Sequence, residues 1–69
     1  MQAYKVETVL VFANKGTEAK MIAAPLLRPW EDWRADVAGW VALRAERVPD
    51  FDHLADPAAV KPYVHTQDT

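Results

Sequence analysis

Thr17-Glu18-Ala19-Lys20-Met21-Ile22-Ala23-Ala24-Pro25-Leu26-Leu27 is the stretch whose reading decides the fold. Two conformations compete for it. Asn14-Lys15-Gly16 before it suits a three-residue hairpin loop, a type I turn closed by a left-handed glycine. On that reading residues 17–27 are a second strand, antiparallel to the one before the loop. Ala13 then faces Thr17, Thr8 faces Ile22 and Tyr4 faces Leu26. The rival is a short helix from Glu18 to Ala24, capped by Thr17, since Glu, Ala, Lys and Met all favour helix. Pro25 would end it. The hairpin is the favoured reading.

Working back, Tyr4 to Ala13 reads as the first strand, rich in Val, Thr, Phe and Tyr. Strict alternation puts Tyr4, Val6, Thr8, Leu10 and Phe12 on one face and Val9 with Val11 on the other. Apolar residues on both faces predict a strand covered on both sides near its end.

Working forward, Pro29 opens a predicted helix that runs to about Arg47. Proline suits the first turn, Glu31 and Asp32 suit the positive end of the helix dipole, and Arg44 and Arg47 suit the other. At about 100° per residue, Trp30, Trp33, Val37, Trp40, Val41 and Val48 share one face. Leu43 falls away from that stripe. Ala35, Ala38, Ala42 and Ala45, with Gly39, form a small-residue seam flanked by Asp32 and Asp36. Val48-Pro49-Asp50 ends the helix. Beyond it, Asp56-Pro57-Ala58-Ala59-Val60 predicts one capped helical turn, and Phe51, Leu54, Val60, Tyr63 and Val64 read as single anchors.

The fold expected is therefore α+β: an antiparallel β-hairpin packed on one long amphipathic helix, with an extended C-terminal segment carrying a short helical turn. Residues 1–48 form the ββα core domain. Residues 49–69 are the C-terminal segment, packed on or near it, with His65 to Thr69 frayed. Two strands and a helix make a thin domain. A chain of 69 residues without cysteine cannot staple itself with disulfides. Two copies are expected to associate as a homodimer, using a free strand edge at Tyr4–Phe12 or Thr17–Leu26.

Composition excludes more than it selects. Half the residues are apolar (51%), and Asp plus Glu (10) outnumber Lys plus Arg (8). A strongly basic nucleic-acid binder is disfavoured. The longest apolar run, Val9 to Ala13, is too short for a membrane span. The N-terminus lacks signal-peptide character. A cytoplasmic protein is expected, and free use of alanine and arginine suggests a bacterial or phage origin. There is no serine and no cysteine, and no threonine has a recognisable base nearby, so no catalytic residue is assigned. Asp50, Asp52 and His53 are the one local cluster with metal-ligand chemistry, but they lack the ligand spacing zinc requires, and no metal or cofactor is assigned.

The tryptophans are the strongest feature. Three in 69 residues, all on one predicted helix face, supply a large apolar area. Arg44 projects into the stripe, where it can stack on Trp40 or snorkel to water. Trp, Tyr and Arg dominate interface hot spots. Trp30, Trp33, Trp40 and Arg44, with Tyr63 as an outlier, are the expected partner-binding residues. The function expected is that of a small non-catalytic protein-binding module, a regulator, inhibitor or accessory subunit occupying a surface on a larger protein partner. Two alternatives stand beside it. One is a small nucleic-acid-binding regulator that gathers Lys5, Lys15, Lys20, Arg28 and Arg34 on and beside a basic hairpin. The other is a minor structural subunit of a multi-subunit enzyme.

Overall fold

A computed structural model describes residues 1–65. The chain runs β1 (Gln2–Val6), β2 (Val9–Ala13), α1 (Gly16–Leu27), α2 (Trp30–Ala35), α3 (Val37–Ala42), β3 (Glu46–Arg47), a 3-10 helix (Pro49–Leu54) and β4 (Tyr63–Val64). The strands form one antiparallel sheet in the order β3-β1-β2-β4. The class is α+β, but the hairpin lies inside residues 2–13 and no long helix is present among the described residues.

The hairpin turns at Glu7-Thr8. Val6 pairs with Val9, and the ladder runs out to Gln2 opposite Ala13. A two-residue hairpin turn requires positive φ, and Glu7 supplies it at 54°. The turn breaks the simple alternation expected across residues 4–12. Tyr4, Val6, Val9, Val11 and Ala13 share one face, and Ala3, Lys5, Leu10 and Phe12 share the other. Both faces are covered, as expected, with Val6, Val11 and Phe12 the largest fully buried side chains.

Residues 17–27 are helical, which overturns the second strand and its pairings. The period of α1 is visible in its burial: Ala19, Ala23 and Ala24 are buried, with Ile22 and Leu27 packed against the core. Small alanines let the helix lie close on Tyr4, Val6 and Val11. Gly16 has no positive φ, and a Cβ there would meet Ala45 and Tyr4 at an ordinary 3.6 Å. It starts a helix and closes no turn. Pro25 sits inside α1 without ending it. The donor it lacks would have reached the carbonyl of Met21, which lies on the exposed side. The backbone N–H of Arg28 still donates to Ala24 at 3.0 Å.

The predicted helix Pro29–Arg47 is two six-residue helices. Asp36 is the C-cap of α2 and the N-cap of α3, and its side chain accepts the Gly39 N–H at 2.9 Å. Aspartate competes for backbone donors in this way and so favours caps over helix interiors. The chain leaves α3 at Leu43, which turns inward and is buried. Leu43 lay off the predicted stripe because the stripe assumed an unbroken helix.

Glu46-Arg47 then pairs with Lys5 and Tyr4 on the outer edge of β1, and Tyr63-Val64 pairs with Phe12 and Val11 on the outer edge of β2. Both edges of the hairpin are thus occupied by the chain itself, so the strand edge expected to be free at Tyr4–Phe12 is already paired. The other edge, Thr17–Leu26, is helix. Short edge strands protect a sheet from further pairing.

The C-terminal segment covers the second face of the sheet. Tyr63 and His65 pack on Phe12, with ring centroids at 5.3 and 5.5 Å. Asp52 fixes the 3-10 helix beneath β1: its carboxylate accepts the Ala3 N–H at 2.8 Å and bonds from Arg47 Nη1 and Nη2, at 2.7 and 2.5 Å. The helical turn expected at Asp56–Val60 is only a turn, in which Asp56 Oδ1 accepts the Ala58 N–H. The helix comes earlier, where Pro49 and Asp50 were expected only to stop one.

Replacing Glu7 by glycine removes the cost of a left-handed side-chain residue, about 1–2 kcal/mol, less the extra backbone entropy of glycine. We predict a gain of up to ~1 kcal/mol for Glu7→Gly, read as a higher denaturant midpoint at unchanged slope. A lower midpoint would show that the turn does not hold this conformation.

Candidate functional site

α2 and α3 bring the three tryptophans into one cluster. Trp40 lies 5.7 Å from both Trp30 and Trp33, measured between ring centroids, tilted to the first and edge-on to the second. The break at Asp36 draws the rings together. Trp30, Trp33, Arg34, Val37 and Trp40 line an open groove of about 220 Å³.

The three rings have different tasks. Trp33 is 5% exposed and belongs to the core. Its indole N–H donates to the Ala24 carbonyl at 2.9 Å, a second donor beside the Arg28 N–H, and so ties α2 to α1. Trp40 is half-buried. Trp30 remains 37% exposed, beside Val37 at 64%, with Val41 at 67% one turn further along α3.

Two cations lie over rings of the cluster. The Lys20 ammonium sits 4.2 Å from the Trp40 ring centroid and also donates to the Trp40 carbonyl. Lys20 takes the place expected for Arg44. The Arg28 guanidinium lies 4.6 Å over Trp33 and bonds to Asp36 at 3.1 Å. Such contacts fix ring orientation as well as adding attraction.

Arg44 and Tyr63 are elsewhere. Arg44 follows the end of α3, is exposed, and lines a separate hollow of about 490 Å³ with Lys5, Glu7, Ala45 and Glu46. Its expected position in the stripe depended on a helix that continues to Arg47. Tyr63 packs on Phe12, and its hydroxyl accepts the Asp56 N–H at 2.7 Å, so it braces the C-terminal segment. Arg34, considered from the sequence only as one of the basic residues beside the hairpin, lines the groove instead. Its spacing of four from Trp30 is a signal that puts both on one helix face.

The basic residues are not collected on a ribbon. Of the five considered, only Lys5 is on the hairpin; Lys15 caps α1 and Lys20 lies on it. The small-residue seam is divided, with Ala35 on α2 and Ala38 and Ala42 on α3. Asp50, Asp52 and His53 lie on the 3-10 helix, where Asp52 is committed to Arg47 and Ala3. Among the described residues no three His, Asp or Glu side chains are grouped to hold a metal ion. No helix among them is long and apolar enough to cross a membrane. No family model matches the chain, and no curated protein or solved structure shows significant similarity to it.

Two carboxylates are held below their ordinary pKa. The Gly39 N–H, and then the Arg28 side chain, hold Asp36 below its ordinary pKa. The Arg47 guanidinium, and then the Ala3 N–H, do the same for Asp52. A carboxylate whose pKa falls on folding stabilises the fold above its unfolded value, about 3.9, and loses that contribution as pH drops through the lower folded value. Both side chains are substantially exposed, which limits the size of the effect. Stability is expected to fall as pH drops below about 4. In the Asp36→Asn, Asp52→Asn double variant the fall is shallower, as read by urea midpoints across the pH range. An unchanged slope would remove both residues from the account.

Gly39 gives a sharper check on the cap. A Cβ at Gly39 would lie 2.3 Å from Asp36 Oδ2. Alanine normally gains up to about 1 kcal/mol over glycine inside a helix. At this position that gain is opposed by displacement of the cap, so Gly39→Ala is expected to lower the thermal midpoint where propensity alone predicts a rise.

Proposed function

We propose that this chain is a small non-catalytic protein-binding module that docks on a larger protein through the α2–α3 face. One observation carries the reading: Trp30 keeps more than a third of its surface in water while sharing a groove with Trp40 and a broadly exposed Val37. Trp33 supplies the fixed floor. A partly exposed aromatic ring on a well-anchored base is the arrangement typical of interface hot spots. Val41 extends the apolar strip beyond the groove. A regulator, inhibitor or accessory subunit would use such a face in the same way. A second copy seated there would compete with the partner for Trp30.

The two tryptophans separate docking from folding. Trp33→Ala is expected to cost about 3–5 kcal/mol of stability, because it empties the core and removes the indole bond that ties α2 to α1. Trp30→Ala is expected to leave the far-UV circular dichroism unchanged. It should weaken partner binding by at least about 2 kcal/mol, roughly thirtyfold. The comparison is made with tagged full-length chain and lysate from the native cell, followed by titration of the captured protein. Equal capture by the intact chain and Trp30→Ala would overturn the reading.

A further inference from the structure

We infer that the tryptophan groove takes an acidic amphipathic peptide segment, one apolar side chain seated against Trp30 and Trp40 with a carboxylate set against Arg34. The inference rests on the docking role proposed above and adds the chemistry of the partner. Size decides first between a small molecule and a side chain. The groove holds about 220 Å³ and is open, below the 300–1,000 Å³ of pockets that enclose whole small ligands. It suits one anchoring side chain of a larger body.

Charge then decides what flanks the anchor. Arg34 is the one charged residue lining the groove, and among the described residues its guanidinium has no ion-pair partner. Lys20 lies over Trp40, bonded to the Trp40 carbonyl, and does not line the groove. Glu31 and Asp32 lie in the first turn of α2 and do not line the groove. Arg28 is neutralised by Asp36. The groove lining therefore carries one positive charge and no negative one, on a chain whose net charge is negative. A positive groove selects a negative partner and raises its rate of encounter.

The same facts reject a cationic guest. An aromatic cage for an ammonium group needs open ring faces. Here Lys20 already lies over Trp40 and Arg28 over Trp33, and the rings lean on one another. An amphipathic helix with an apolar anchor and Asp or Glu one turn away fits both groove and charge, as in helix-in-groove recognition.

The test is a selection from a random peptide display library against the intact chain, Arg34→Glu and Trp30→Ala, each confirmed folded by circular dichroism. The intact chain should enrich peptides that pair a large apolar residue with Asp or Glu three or four positions away. Arg34→Glu should bind the best of these about fivefold more weakly, the equivalent of one lost surface ion pair, and should enrich Lys or Arg in place of the acids. Trp30→Ala should enrich neither set. Neutral or basic peptides enriched on the intact chain and lost with Trp30→Ala would overturn the acidic segment and leave the docking face standing. Peptides retained by Trp30→Ala, or no enrichment on the intact chain, would overturn both.

Discussion

The Asp36 carboxylate is the constraint on which the rest of the molecule turns. It accepts a backbone donor from Gly39, ends one short helix and begins the next. Through Arg28 it also reaches back to the end of α1 and steadies a cation over Trp33. The break lets Trp40 lean on Trp30 and Trp33 while Leu43 turns into the core. The groove is thus a product of a helix that stops in the middle. No six-residue helix is stable alone. Both α2 and α3 depend on their packing and on this shared cap.

The site divides its tryptophans between support and exposure. Trp33 spends its indole N–H on Ala24 and its ring on the core. Trp40 is covered on one side by Lys20. Trp30 remains the most exposed of the three rings. Rigid support under an exposed aromatic lowers the entropy lost when a partner arrives. The binding face is therefore inseparable from the fold beneath it.

The class and the coarse layering were legible in the sequence, as were the tryptophan face and the coverage of β2 on both sides. The positions of the turns were not. Glu7-Thr8 has none of the Asn-Gly chemistry that marks a two-residue hairpin turn, and glutamate at positive φ is uncommon. Asn14-Lys15-Gly16 carries the stronger turn signal and starts a helix. For residues 17–27 the buried set Ala19, Ala23 and Ala24 had helical spacing, but alanine weighs little in any apolar pattern. Pro25 argued for an ending that tertiary packing overrode. Asp36 looked like one polar residue on the outside of a long helix. Its role as a cap depends on the direction the chain takes afterwards, which local preference does not set. Arg44 was misplaced for the same reason, and Arg34, four residues after Trp30, was there to be read.

The sheet has a consequence for the order in which the molecule assembles. Its centre is a local hairpin, a structure that closes within about ten microseconds. Its borders come from far along the chain: Val48 reaches Ala3, and His65 reaches Leu10. Those long closures must wait until the intervening helices have given up their freedom. On a growing polypeptide the two central strands leave the ribosome before either segment that clasps them, and an unclasped hairpin is only marginally stable.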